Sequence, residues 1–330
     1  MPSHPSAQPT SLLLCGLGTM GRNHAKALQA LEAKHGDLRL TGAFDPDPRA
    51  AEHATNLGLP LANELTNALS EAGGGPNAAV VASPTSTHAT VLREVGQSVH
   101  HIFLEKPLAA TLPEAEALAA WAATQGLHVQ LGFIERFNPV VRALQRTLAN
   151  LATPALHADF VRTGKGSARI TDVDVVVDLM IHDIDLALWL FGPVAKVEAA
   201  GVRQHGLLEL VSATLTHANG TVSRLHASRI THKRQRCVAV TLADQWLQAD
   251  LLSKTLQSVQ QVADPAKPGW FNEQARDLPV EPGDALQDEL RAFVLTCQGR
   301  THEVDHPGVP NAHDGLEAQR VCDAIQRAVP

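Results

Sequence analysis

Three short stretches hold residues whose types and spacing suit proton and hydride chemistry. The run DVDVVVDLMIHDIDLALWLFGP, residues 172–193, is mostly apolar from Asp178 to Phe191, yet carries Asp178, His182 and Asp185. At about 100° per residue, a helix puts these three and Trp189 within a stripe about 60° wide. Acids and a histidine on a buried helix are costly unless hydrogen-bonded or turned to a pocket. Imidazole, with a reference pKa of about 6.5, can both take and return a proton. The stripe reads equally as a structural network or as a site. The second stretch is Glu105-Lys106-Pro107, which ends the apolar run HIFLE at 101–105. A lysine at a strand end can stabilise a developing alkoxide, though an ordinary surface lysine has the same look.

The third stretch, GLGTMGRNHAKAL at 16–28, supplies what those groups need to act on. SLLLC at 11–15 reads as a buried strand before it, and Arg22 to Leu31 has helical spacing after it. In that setting Gly16 permits a tight turn, Gly18 lets a pyrophosphate approach the backbone, and Gly21 allows close helix–strand packing. Thr19, Met20 and Arg22 belong to the helix start, where unpaired N–H groups attract phosphate. Asp45 lies 24 positions after Gly21, at the end of a second strand, LRLTGAFD at 38–45. A carboxylate there suits the ribose 2′-hydroxyl of NAD; Arg22 and Arg49 are near enough in sequence to offset its repulsion of NADP, so NAD is favoured only modestly. Asp45 could instead simply open the Asp-Pro-Asp-Pro turn. Ser83-Pro84-Thr85-Ser86-Thr87-His88 follows another strand, 77–83. Its hydroxyls either touch a nicotinamide ribose or cap the next helix. Ser83, Thr85, His88, Glu105 and Lys106 complete the expected cofactor contacts.

These motifs need a parallel α/β domain. Strands at 77–83, 101–105 and 127–133 alternate with helices at 87–95 and 111–124, the latter opened by a Thr111/Glu114 capping box. This domain is expected at 10–133, after a loose tail at 1–9. The remainder, 134–330, is expected to be an α+β domain for substrate binding and oligomerisation, with a mostly antiparallel open sheet. It begins with a helix near 138–150. Strands follow at 156–163, 196–203, 207–217, 221–229 and 236–242, with a hairpin turn at Asn219-Gly220. Four prolines and two glycines mark 262–284 as a surface loop, and 313–328 as a closing helix follows.

A formal charge of −7 over 330 residues excludes a general nucleic-acid binder. Four scattered cysteines without C-x-x-C give neither a zinc site nor a disulfide scaffold. No apolar run is long enough for a membrane span, and a cytoplasmic protein is expected. The absence of tyrosine excludes mechanisms that use a tyrosine acid or base. A metal hydrolase is not supported: no H-E-x-x-H occurs, and Asp178, His182 and Asp185 lack a further strong ligand.

Taken in order, GLGTMGRNHA, Asp45, SPTSTH, EKPLA, GFIERFNP and DLMIHDID resemble the Gfo/Idh/MocA oxidoreductases, named for glucose–fructose oxidoreductase and inositol dehydrogenase. The resemblance implies a nicotinamide domain, an open-sheet domain and a sugar-like substrate between them, in a homodimer or homotetramer. It implies that Lys106 contacts the reacting hydroxyl, that His182 is the general acid/base, and that Asp178 orients substrate or His182. Arg136 and Asn138 would line the substrate side. Many members have glycines around the aspartate where this chain has Val175-Val176-Val177 and Met180. That variant, with GFIERFNP, is most similar to the nucleotide-sugar dehydrogenase branch. Arg136, Arg162, Lys165 and Arg169 could meet nucleotide phosphates or be ordinary surface charges. The reading from another class is a non-catalytic NAD(P)-binding metabolite sensor.

Overall fold

A computed structural model describes residues 9–70, 75–151, 153–165, 173–306 and 308–330. The expected tail (but for its last residue, Pro9) and Arg169 lie outside the described residues. The chain divides into two compact units: Met1–Ile134 with Ala285–Leu316, and Glu135–Asp284 with Glu317–Pro330.

The first unit is built on six parallel strands: β1 (Thr10–Cys15), β2 (Leu38–Phe44), β3 (Leu61–Ala62), β4 (Ala78–Val81), β5 (His101–Glu105) and β6 (His128–Gly132). Their spatial order is β3-β2-β1-β4-β5-β6. The order reverses between β1 and β4, which is where open α/β sheets bind ligands. Almost every side chain of β1 and all of β4 are buried, because helices cover both faces. Those helices are α1 (Thr19–His35), α2 (Ala50–Leu57), α3 (Leu65–Ser70), α4 (His88–Val95) and α5 (Leu112–Thr124). The Thr111/Glu114 capping box forms as expected. Among the described residues all four cysteines are free thiols, and burial pushes Cys15 and Cys297 up to about 12.

The expected 134–330 domain gives up one segment to this unit. Helix α8 (Ala285–Cys297) inserts Leu290, Phe293 and Val294 into the core formed by β1, β2 and α1. An apolar face that completes another core has no sequence signal telling which core it joins. The segment is also clamped electrostatically. Arg291 grips Asp37 with two bonds of 2.7 and 2.9 Å, and Arg300 adds a third at 2.9 Å. Gln298 donates to the Asp37 carbonyl at 2.7 Å.

The second unit carries eight strands: β7 (His157–Thr163), β8 (Val194–Gln204), β9 (Leu207–His217), β10 (Val222–Ser228), β11 (Gln235–Thr241), β12 (Trp246–Asp250), β13 (Thr255–Ala263) and β14 (Phe271–Leu278). Their order is β14-β13-β12-β11-β7-β10-β9-β8. Only β7 and β10 pair in parallel, so the sheet is mostly antiparallel as expected. The β9–β10 hairpin turns at Asn219-Gly220, with Gly220 at φ +91°. Helices α6 (Pro139–Ala149) and α7 (Ile181–Phe191) belong to this unit, and α9 (Ala312–Ala328) crosses the boundary at Leu316. The expected loop at 262–284 is corrected: it contains β14, which pairs antiparallel with β13 from Leu256↔Leu278 to Ala263↔Phe271. This strand is exposed almost throughout, so it lacks the apolar alternation that betrays a strand. Among the described residues no helix is long and apolar enough to cross a membrane.

The guanidinium of Arg291, more than its charge alone, holds the Asp37 carboxyl below the usual carboxylate range. Asp37→Asn is expected to cost about 1 kcal/mol, since the group is partly solvated. A depressed folded pKa stabilises fully above the unfolded value of about 3.9 and is lost as pH falls through the folded one. The wild-type advantage over the variant in urea denaturation should therefore be full at pH 7 and shrink below pH 4.

Candidate active site

The carboxyl edge of the parallel sheet collects most of the expected cofactor residues. Gly16 follows β1, Asp45 follows β2, Ser83 lies just beyond β4, and Lys106 follows β5. Because β4 separates β1 from β5, the glycine loop and Lys106 start two strand spacings apart, roughly 10 Å.

The glycines do different work. Gly16 has φ +101°, and a Cβ there would lie 2.6 Å from the Ala82 carbonyl oxygen. A Cβ on Gly21 would lie only 1.9 Å from the Gly16 carbonyl oxygen, so α1 closes directly onto the loop. Gly18 differs: a Cβ there would meet nothing within 4 Å. It is also the N-cap of α1 and offers no side chain to the first-turn N–H groups. An open, uncapped helix start at the switch point fits a pyrophosphate. Thr19 and Met20, exposed in that first turn, sit at its rim.

Asp45 is half-buried and accepts from Leu17 N–H at 2.8 Å and Asp47 N–H at 2.9 Å. It thus steadies the glycine loop and its own turn together. Arg22 donates to the Leu17 carbonyl at 3.0 Å, and Arg49 is gripped by Asp47.

Glu105 is positioned by a residue that sequence reasoning passed over. His24 is fully buried on α1 and donates from Nε2 to Glu105 Oε1 at 2.6 Å. Its ring packs edge-on against Phe103 with centroids 5.2 Å apart. The other carboxylate oxygen fits because residue 132 is glycine; a Cβ there would lie 3.0 Å from Glu105 Oε2. The spacing Gly21, His24, Ala25, Leu28 marks the buried face of α1 and was the available signal. Half-buried Lys106 comes next, joined to Pro107 by a cis peptide.

Ser83, Thr85 and His88 are brought to the same edge, in structural contacts. The Thr87 hydroxyl donates to Ser83 Oγ at 2.8 Å, and Thr85 opens the short turn Thr85–Thr87 before α4. His88 lies between two carbonyls, Pro107 at 2.8 Å from Nδ1 and Ser83 at 3.1 Å from Nε2. Burial lowers its pKa against the pull of those carbonyls. The ring ties the loop after β4 to the turn after β5.

In the second unit the expected helical stripe is corrected. Val176–Met180 forms a π-helical turn, and α7 begins only at Ile181. A π turn has one more residue per turn than an α-helix, so a wheel drawn at 100° per residue fails across it. Asp178 and His182 are both half-buried, whereas Asp185 is buried and points to a different task. It takes two bonds from Arg136, at 2.9 and 2.6 Å, and that guanidinium also lies 5.4 Å from the Trp189 ring centroid. Asn138 is buried too, capping α6 through Val140 N–H and donating to Glu135 at 3.1 Å. Arg136 and Asn138 are thus internal braces. Arg162, weighed as a phosphate ligand, is buried as well; Lys165 is exposed.

Asp178 has its own anchor, Arg229, which follows β10. Arg229 grips Glu209 at 3.0 and 2.8 Å, and its Nη1 lies 3.5 Å from Asp178 Oδ2. Neither Arg229 nor Glu209 has a sequence signal, because the hairpin register alone brings them together.

Beneath α7 lies a buried charge network. Arg162 forks onto Asp183 with contacts of 2.8–3.1 Å and reaches Glu135 at 2.8 Å. Burial works against the Glu135 charge, but Arg162 and Asn138 outweigh it and hold its pKa below the usual range. Burial pushes the Asp183 carboxyl up while Arg162 pulls it back. Removing one partner from such a pair strands a buried charge. Asp183→Asn is therefore expected to lose about 3–5 kcal/mol in urea denaturation. A loss under about 1 kcal/mol would contradict the network's bracing role.

Residues 10–133 match a family model described as "Oxidoreductase family, NAD-binding Rossmann fold", and residues 158–247 match the "GFO/IDH/MocA C-terminal domain". A relative in Acidithiobacillus ferrooxidans, UDP-N-acetylglucosamine 3-dehydrogenase, is 33% identical over 315 residues, covering 94% of this chain and 93% of that protein. Its solved structure superposes with a TM-score of 0.83 at 27% identity, covering 97% of each chain. Inositol 2-dehydrogenase 2 of Paenarthrobacter aurescens is 27% identical, covering 96% of this chain and 95% of that one. With both units matched and near-full-length relatives at hand, the chain belongs to the Gfo/Idh/MocA oxidoreductase family.

Proposed function

We propose that this protein is an NAD-dependent dehydrogenase that moves hydride reversibly between nicotinamide and a secondary hydroxyl of a nucleotide sugar. The carrying observation is the open, uncapped start of α1 at Gly18, on the same sheet edge as Lys106. The similarity to a UDP-N-acetylglucosamine 3-dehydrogenase supports the substrate class. Bound at the glycine loop, the dinucleotide supplies the hydride acceptor. The Asp45 carboxylate favours a ribose 2′-hydroxyl over a 2′-phosphate. Both nearby arginines are committed to Leu17 and Asp47, which supports NAD over NADP.

The chain's own residues then handle the proton and the developing charge. Lys106 places positive charge at the substrate hydroxyl oxygen as it becomes alkoxide-like. His182 takes the hydroxyl proton and returns it in the reverse direction. Asp178, held by Arg229, orients His182 or the sugar. Glu105, locked by His24, fixes the backbone that carries Lys106. Arg136 and Asn138 support the site as braces for α6 and α7.

Two pairs of variants test this. Gly18→Ala should leave Tm within about 2 °C of wild type, since its Cβ meets open space. It should weaken NADH binding, followed by fluorescence titration, at least about tenfold, the cost of a misplaced pyrophosphate contact. Gly21→Ala should instead destabilise the fold by about 2–3 kcal/mol through backbone overlap. With NAD and UDP-N-acetylglucosamine, His182→Ala should lower kcat by about 10²–10⁴ and Lys106→Ala by about 10²–10³. NAD affinity of the His182 variant should be unchanged. Near-wild-type turnover in both would sink the assignment, and cofactor binding without hydride transfer across a nucleotide-sugar panel would favour the sensor.

A further inference from the structure

The parallel pair in the middle of the second sheet, β7 and β10, ends in register at Thr163 and Ser228. Strand β11 enters antiparallel at the same level, with Gln235 opposite Thr163. Whatever is joined to these three strand ends therefore collects at one end of the sheet. Arg229, the anchor of Asp178, is the first residue beyond β10. Lys165 lies two residues beyond β7, and Lys233 and Arg234 immediately precede β11.

The turn that carries these cations is braced. Ser228 is fully buried, and its Oγ accepts from the N–H groups of Ile230 and Thr231 at 3.2 and 3.1 Å. Thr163 Oγ1 donates to the Lys233 carbonyl at 2.8 Å, and Gly164 N–H donates to the Ser228 carbonyl at 3.1 Å. A Cβ on Gly164 would lie 3.7 Å from Arg234 Cγ, so the Arg234 stem runs beside the residue that precedes Lys165. Lys233 is four residues from Arg229, at most about 14 Å along the chain.

Charge sets this end of the sheet apart. The chain carries −7 overall, yet residues 210–243 contain no acid. Within them Arg224 pairs with Asp159, Arg229 with Glu209 and Asp178, and Arg236 approaches Glu135. Lys165, Lys233 and Arg234 are exposed, and among the described residues none of them has an ion pair. The crowding is felt nearby: burial, then the charges of Arg162 and Arg234, lower the Arg236 pKa against the pull of Glu135. Like charges held together on a braced turn repel one another until an anion lies between them.

We infer that Lys165, Lys233 and Arg234 form a diphosphate subsite, which holds the substrate's pyrophosphate while its sugar reaches Asp178 and His182. The inference rests on the nucleotide-sugar reading above and deepens it. These side chains supply what Arg136 and Arg162, buried and held by acids, cannot. Their donors match pyrophosphate oxygens in charge and in hydrogen bonding.

The test uses the full chain with saturating NAD, so that the glycine loop is filled, and UDP and UMP as probes. By titration calorimetry UDP should bind with one-to-one stoichiometry and more tightly than UMP. Lys233→Gln combined with Arg234→Gln, both at exposed positions, should fold normally and raise the UDP Kd at least about fivefold, as charge-assisted hydrogen bonds are lost. The same variant should bind UDP and UMP alike. Lys34→Gln with Arg39→Gln removes equal charge from exposed positions in the first unit and should leave UDP binding unchanged. Absence of saturable UDP binding, a smaller shift, a UDP preference that survives the substitutions, or an equal loss in the control pair would each overturn the inference. Turnover separates the subsite from the reaction. An unchanged KM for UDP-N-acetylglucosamine in the Lys233/Arg234 variant sinks the subsite and spares the reaction; UDP binding as described without hydride transfer does the reverse.

Discussion

The approach of Gly21 to the Gly16 carbonyl is the constraint from which the first unit is organised. Because no side chain intervenes, α1 seats directly on the turn after β1. Three results follow from that one contact. The start of α1 carries no side-chain cap, and a Cβ at Gly18 would meet nothing within 4 Å. The same helical face, one turn on, delivers His24 to Glu105. Phe103 then links the His24 ring to Phe293 of α8, with centroids 5.2 and 5.9 Å apart. The uncapped start of α1 and the buried hold on the Glu105 carboxylate are therefore two ends of one packing decision.

The second unit solves a different problem. Its α7 is mostly buried, yet carries Asp183 and Asp185 inward. Water is replaced by two guanidinium forks, Arg162 on Asp183 and Arg136 on Asp185. Such pairs add little net stability relative to apolar packing, but they tolerate only one arrangement of the elements that bear them. Arg136 and Asn138 precede or open α6, Arg162 lies on β7, and the acids lie on α7. Helix, strand and connecting turn are thereby fixed to one register, and the half-buried Asp178 and His182 stand on that frame.

The parallel sheet and its glycine loop were legible because periodicity and turn chemistry act within about 30 residues. The meaning of the charged side chains was less so. Asp178 and Asp185 fell on one stripe of a helical wheel; the π turn at Val176–Met180 takes Asp178 off that wheel, and Arg136 holds Asp185. Arg136 and Arg162 read as substrate ligands or surface charges because a lone arginine in sequence carries no mark of its partner 21 or 49 residues away. His24 was legible in principle from its apolar neighbours. Arg229 and Glu209 were not, since only the β9–β10 register joins them. Strand β14 escaped notice because an exposed edge strand is held by ladder hydrogen bonds, with no buried face to write a pattern.

The inclusion of α8 in the first unit bears on how the chain is made. A ribosome releases β1 through β6 long before residue 285, so the parallel sheet emerges with one flank of its core uncovered. Leu290, Phe293 and Val294, and the arginine that captures Asp37, arrive only after the whole antiparallel sheet has been synthesised. The nucleotide-binding unit is therefore the first to begin folding and cannot finish until its neighbour's strands have all appeared. Any truncation that spares the glycine loop but ends before α8 yields a cofactor fold with an open seam.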